Sequence, residues 1–341
     1  MRKIIECVPN FSEGKNVETI AGIIGEIERV KGVAVLNVEP DADYNRTVVT
    51  FAGDPDAVKD AAYSAIKTAA ETIDMSRHKG AHPRIGATDV CPFVPMANVA
   101  MEECVRLAYR LGKEVGDSLG IPVYMYGNAA TAPDRRVLSD IRKGEYEGLP
   151  QRLKDAAWRP DYGPHEFNDT VKRSGAVVIG AREFLIAYNV NLDTDNLQLA
   201  DRISGMVRES GVVRTNEAGK RARVPGALKF VQAMGVFLKE RRIAQVSMNL
   251  RNYKATPPHV AFEEVRKQAR LLGVNATGSE VVGLIPKEAL LAAGRFYSGK
   301  EQSEARLIAA AVERLGLNQF NPFIPEKKVI EYALGVKEFR S

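Results

Sequence analysis

Hydrophobic periodicity along this chain alternates between the two-residue repeat of strands and the 3.6-residue repeat of helices, in an order that occurs twice. That order most constrains the fold. In the first half Ile4–Val8 reads as a strand and Asn16–Val30 as an amphipathic helix, with Val17, Ile20, Ile23, Ile24 and Ile27 on one face. Val33–Val38 and Thr47–Phe51 read as strands, Pro55–Ile73 as a helix capped by Asp54, and Thr88–Val94 as a strand; helix Val99–Leu119 and strand Pro122–Tyr126 follow. The second half opens near Gly175, with strands at Val177–Ile179 and Phe184–Asn191 and a helix at Thr194–Ser210. Strands Ala227–Phe237 and Ala244–Leu250, helix Pro258–Leu272, strand Val281–Leu284, and helices Lys287–Gly294 and Glu301–Leu315 complete it. The repeated order, β-α-β-β-α-β, is the split βαβ or ferredoxin-like unit. We therefore expect an α/β (α+β) chain of two ferredoxin-like subdomains, 1–174 and 175–332, with a tail at 333–341. The sheets would face each other across a tunnel, a common setting for a small-molecule site, with helices outside.

The chain has 341 residues, 45% hydrophobic and 27% charged, as in ordinary globular proteins. No apolar run approaches the ~20 residues that span a bilayer, and the N-terminus moves directly into a strand without a signal core. Three cysteines, Cys7, Cys91 and Cys104, are too few and too scattered for a disulfide framework. Together these read as a cytoplasmic protein with no membrane partner. A net charge of +5 without a basic run or nucleic-acid-binding signature favours an anionic small ligand or a plain surface over nucleic acid.

Two of the four histidines, His78 and His82, lie in Asp74-Met-Ser-Arg-His-Lys-Gly-Ala-His-Pro-Arg-Ile-Gly-Ala-Thr-Asp89. Gly80, Pro83 and Gly86 forbid a helix, so Arg77, Lys79, Arg84 and Asp89 surround the histidines on an irregular loop. The His-x-x-x-His spacing resembles a metal site, but that geometry needs a helix, and no metal is expected. General acid–base work suits an imidazole flanked by cations and near a carboxylate. For His78 a structural role is favoured; for His82, whose backbone Pro83 holds extended, catalytic and structural roles both stay open. Cys91 beside the loop is read as a buried apolar residue rather than a nucleophile.

Other motifs say less. Asn10 and Ser12 in Cys7-Val-Pro-Asn-Phe-Ser-Glu-Gly14 can cap a turn or touch a ligand, and Arg46 can bind an anion or sit on a solvated edge. Gly219–Lys229 is a basic loop that lacks the phosphate-loop pattern. Ala157–Asn168 holds the only Trp and two further aromatics, so it should be an ordered strap, or a platform for a flat ring, rather than a flexible linker. Neither a dinucleotide-binding glycine motif nor a serine-hydrolase elbow is present.

Glu6–Gly14, Asn45–Thr47, Asp74–Arg84, Asp89–Phe93 and Ala244–Asn249 together resemble the formiminotransferase family, and the likeness covers nearly the whole chain. The resemblance implies formimino transfer from N-formimino-L-glutamate to N5 of tetrahydrofolate, as co-substrate, with His82 as the catalytic base. Folate contacts would come from Gly163, Pro164, His165, Glu166, Phe167, Asn168, Asp169, Thr170, Val171 and Lys172. Asn10, Glu39, Arg46, Arg77, Arg84 and Asp89 are candidate supporting residues; Glu39 stands where the family would have an aspartate. A homodimer is implied, with a separate cyclodeaminase for ammonia release. Both substrates carry glutamate carboxylates, for which Arg77, Arg84, Lys220, Arg221 and Arg223 are candidate anchors. One imidazole can take the proton from N5 and return it to the leaving nitrogen. The alternatives are formyl transfer from, or cyclisation of, 5-formyltetrahydrofolate, and a non-catalytic folate-binding protein.

Overall fold

The chain is described by a computed structural model over residues 3–42, 44–80, 82–215, 221–239, 241–299 and 303–335. It divides into two compact units, one reaching Glu183 and the other starting at Phe184.

The first unit holds β1 (Ile4–Cys7), β2 (Asn10–Phe11), α1 (Val17–Glu28), β3 (Val33–Asp41), β4 (Arg46–Gly53), α2 (Pro55–Thr72), β5 (Thr88–Ala97), α3 (Met101–Leu119) and β6 (Val123–Gly127). The short helices α4 (Leu138–Ile141), α5 (Leu149–Arg152) and α6 (Asp169–Ser174) precede β7 (Val177–Ala181). Local chemistry sets the helix starts. The Asn16 side chain accepts from the Glu18 and Thr19 N–H groups, and Asp54 accepts from Asp56 with Pro55 at the first helical position. The sheet runs β3-β4, then β1 and β2 in line, then β5-β7-β6. One face packs Cys7, Phe51, Phe93 and Ile179 against Ile23, Ile27, Ala65 and Leu111 of the three long helices. On the other face Val90, Tyr124 and Val178 lie under Ile141, Leu149 and Val171. Elsewhere that second face carries the buried polar residues Glu6, Asn10 and Thr50.

The expected opening of the second half at Gly175 differs from the structure. Val177–Ala181 is β7, parallel to both β5 and β6 and seated between them, so it belongs to the first sheet. Parallel pairing brings together strands distant in sequence, which local periodicity does not register. The Trp158 strap is likewise part of the first unit. The Tyr124 hydroxyl donates to the Trp158 carbonyl at 3.0 Å, Val123 and Tyr162 form a bridge, and Arg152 lies 4.5 Å from the indole centroid.

The second unit holds β8 (Ile186–Leu192), α7 (Leu197–Val207), β9 (Val212–Thr215), β10 (Arg221–Val224), β11 (Val231–Leu238), β12 (Ile243–Leu250), α8 (Pro258–Leu271) and β13 (Ala276–Val282). Helices α9 (Lys287–Ser298), α10 (Glu304–Arg314), α11 (Pro325–Lys328) and α12 (Ile330–Ala333) follow. Its four-stranded antiparallel sheet has the order β11-β12-β8-β13. β11 is an edge strand, and α7 with its C-terminal turn blunts it: Gly235 N–H donates to Asp201, and the Val231 and Ala233 carbonyls accept from Glu209 N–H and Arg208. The basic stretch expected as a loop is partly a ribbon, β9 paired with β10, while residues 216–220, including Lys220, lie outside the described ones. No helix among the described residues is long and apolar enough to cross a membrane.

Candidate active site

The histidine loop is built on the β3–β4 turn. Arg84 Nε donates to His78 Nδ1 at 3.1 Å, so the His78 proton sits on Nε2 and is donated to the Asn45 carbonyl at 2.9 Å. With both ring nitrogens engaged, His78 offers no lone pair to a metal. Asn45, itself left-handed at φ +47°, donates to the Lys79 carbonyl at 2.9 Å and accepts from Gly14 N–H at 3.0 Å. Gly80 presses on this turn so closely that a Cβ there would lie 2.2 Å from the Tyr44 carbonyl oxygen.

His82 lies beyond this anchor, its ring centroid 5.7 Å from that of Tyr44. Its Nδ1 is buried and makes no hydrogen bond to a described residue. Burial, reinforced by the positive charges of Arg46 and Arg142, pushes the imidazole pKa down to about 4, with Asp89 opposing. His82 is therefore neutral near pH 7 and able to accept a proton. A sheet irregularity places Asp89: Asn10 faces Val90 and Phe11 faces Thr88, which leaves Asp89 as the extra residue of a bulge. Asp89 is 1% exposed, and its carboxylate accepts from Ile85 N–H at 3.0 Å and is ion-paired with Arg142. Arg46 donates through Nε and Nη2 to Asn10 Oδ1, and Asn10 is held by the Val8 carbonyl at 3.0 Å. Burial and the nearby Arg142 lower the Arg46 pKa to about 10. Glu39 pairs in register with Val48 on the same sheet face as Asn10.

The structure thus gathers His82, Asn10, Arg46 and Asp89, and adds Arg142, which the sequence did not single out. Arg142 follows the four-residue α4 in a stretch without periodicity; the one available signal was that a buried aspartate needs a cationic partner. Two expected supports lie elsewhere. Arg77 is exposed and 3.5 Å from Asp74. Arg84 is buried and fully engaged by His78, Glu145 at 2.9 Å and Glu147 at 2.7 Å, and it holds the Glu147 carboxyl down at about 2. Of the basic ribbon, Arg223 is exposed and donates to the Ser210 carbonyl. Ser12 is a strut, its hydroxyl donating to the Gly86 carbonyl at 2.7 Å. Cys91 is fully buried with its Sγ 3.5 Å from that of Cys7, as the apolar reading requires.

In the strap, Gly163 has φ +78° and packs against the Ile121 carbonyl, where a Cβ would lie at 2.2 Å. Phe167 contacts Tyr146, Val171 is buried, and the Lys172 carbonyl accepts from Tyr146. Pro164 is half-buried, while His165, Glu166, Asn168, Asp169 and Thr170 are exposed, with Asn168 capping α6 through Val171 N–H.

Fold and site together define a mixed α/β protein with a histidine-centred, arginine-lined site on one sheet. The chain belongs to the formiminotransferase family: the formiminotransferase domain, N-terminal subdomain, matches residues 4–182, and the formiminotransferase domain matches residues 187–335. It is 48% identical over 336 residues to a formimidoyltransferase-cyclodeaminase of Gallus gallus, covering 97% of this chain and 60% of that protein. The chain therefore spans about three fifths of the length of such relatives. It is 46% identical to a glutamate formimidoyltransferase of Thermoplasma acidophilum, over 86% of this chain and 92% of the relative. A glutamate formimidoyltransferase of Streptococcus pyogenes is 42% identical, over 87% of this chain and 94% of the relative.

Proposed function

We propose that the chain is a glutamate formimidoyltransferase that moves the formimino group from N-formimino-L-glutamate to N5 of tetrahydrofolate, giving L-glutamate and 5-formiminotetrahydrofolate. The observation that carries this reading is His82, a neutral imidazole with an unengaged Nδ1 beside two guanidinium groups. N5 attacks the formimino carbon, a C–N bond forms, and the N5 proton passes to His82. The bond to the glutamate nitrogen then breaks as the imidazolium returns that proton to it, so no proton is gained or lost overall. Arg46 and Arg142 favour anionic substrates and disfavour a resting imidazolium.

Folate is assigned to Gly163–Lys172, a reading supported by apolar anchors that leave polar side chains presented outward. Arg77 and Arg84 act at a distance, Arg84 by setting the loop. Both units follow β-α-β-β-α-β with strand order 2-3-1-4, which supports the ferredoxin-like assignment with a second repeat from Phe184. A cytoplasmic homodimer completes the reading, with reduced Cys7, Cys91 and Cys104 in keeping with a reducing compartment. The transfer itself needs no cyclodeaminase, since the Thermoplasma and Streptococcus relatives are named for the transferase alone; a separate one would release ammonia afterwards. The test is turnover of tetrahydrofolate and N-formimino-L-glutamate, followed spectrophotometrically with added cyclodeaminase. Turnover supports the assignment; use of 5-formyltetrahydrofolate instead moves it to formyl chemistry.

A further inference from the structure

Arg46, Arg142 and Asp89 all act on His82, and each arginine is held by one partner through its Nε and Nη2. Arg142 is held by its Nε and Nη2 against Asp89, whose own position is fixed by Ile85 N–H. Among the described residues Arg46 is hydrogen-bonded to the neutral amide oxygen of Asn10, and Asp41, its cross-strand partner, acts on it through its charge. Neither Nη1 hydrogen-bonds to a described residue, so each guanidinium keeps one amino group available. A carboxylate is the group that fits a pair of guanidinium forks. Arg77 and Arg84 do not compete for this role, because one is exposed and the other saturated by Glu145 and Glu147.

We propose that Arg46 and Arg142 form the receptor for the α-carboxylate of the formimino donor. The inference rests on the proposed function for the donor's identity. Donor chemistry selects the α-carboxylate over the γ. The formimino nitrogen sits on Cα, so the α-carboxylate lies two bonds from the nitrogen whose bond is broken, and whatever binds it must stand beside the acid–base group. The γ-carboxylate, two methylenes further out, has no such requirement. Placing an anion here has a second effect. The groups that act on His82 are Tyr44 from the β3–β4 turn, Arg46 from β4, the Pro83 backbone and Asp89 of β5, and Arg142 after α4. A carboxylate on the two arginines offsets the charges that keep the imidazole from accepting a proton, so His82 becomes a stronger base once the donor is bound. The acidic limb of the kcat profile then lies at higher pH than that of kcat/KM.

The test compares N-formimino-L-glutamate with N-formimino-4-aminobutyrate, which keeps only the distal carboxylate. For the wild type we expect kcat/KM to favour the first by about 100-fold or more, and for Arg142→Gln by less than about tenfold. Arg142→Lys, which keeps the charge for Asp89 but loses the fork, should fall between, with thermal midpoints recorded for both. Independently, L-glutamate added to the full chain should raise the His82 titration midpoint, read by NMR, by about one pH unit or more, and 4-aminobutyrate should not. Equal use of the two donors by the wild type, or discrimination that survives in Arg142→Gln, overturns the receptor and leaves the transferase assignment standing. Failure of the wild type to use N-formimino-L-glutamate defeats the assignment instead, and the glutamate-specific shift at His82 then decides the receptor alone.

Discussion

The β3-β4-β1-β5 part of the first sheet has the strand order of the second sheet, and the two differ in the residues on the face opposite their long helices. In the first unit that face holds ionisable groups: Glu6, Glu39, Arg46 and, through the bulge, Asp89. In the second it holds Asn189, Asn191, Gln245, Ser247 and Asn249, with Glu280 as the acidic exception. The Gln245 amide donates to both Asn191 and Glu280, Asn191 donates to Gln319 at 2.8 Å, and Gln319 donates to Thr277 at 2.9 Å. Buried neutral amides need only hydrogen-bond partners, whereas buried charges shift each other's proton affinity. One scaffold has thus been given two surfaces, and the proposed proton transfer belongs to the first unit.

The largest effect should come from His82→Ala. We expect kcat to fall about 10³-fold with the thermal midpoint nearly unchanged; normal turnover would remove the proton-transfer role and with it the contrast between the sheets. Next, Asp89→Ala leaves Arg142 without its buried partner and should cost about 3–5 kcal/mol in urea unfolding. A loss below about 1 kcal/mol would mean that the pair is solvated. Third, Asn191→Ala interrupts the amide network. It should cost about 1–3 kcal/mol while kcat stays within about twofold, and a collapse of kcat would place chemistry on both sheets.

The smallest effect concerns acid stability. Burial depresses the His82, His78 and His259 pKa values below 6.5, to about 4 for His82. Such groups take up protons in the unfolded chain before the folded one. Their stabilisation is fully present above pH 6.5 and is lost as pH falls toward 4. Comparing urea midpoints at pH 7 and pH 5, His82→Ala should lose less stability than the wild type, by on the order of 1 kcal/mol. An equal loss would show that His82 is solvated.

Strongly periodic elements were legible in the sequence, caps included, as Asn16 and Asp54 show. The two-residue β2 carries no period to read, and β9 and β10 were hidden because Arg221 and Arg223 alternate with small residues that are also exposed. In the site, His82 and Asp89 stood out through local composition. Arg142 did not, since it reaches Asp89 across 53 residues of chain. Arg84 misled for the converse reason: a cation next to a histidine looks available until its carboxylate partners, Glu145 and Glu147, are seen.

Asn45 makes no hydrogen bond to His82 or Asp89 among the described residues, yet it receives His78, grips Lys79 and is gripped by Gly14. The loop that carries His82 is therefore a casting taken from a hairpin turn made earlier in the chain. Its accuracy is inherited from one residue that holds a left-handed conformation. A change at Asn45 would look, in an assay, like damage to the chemistry, although the fault would lie in the mould.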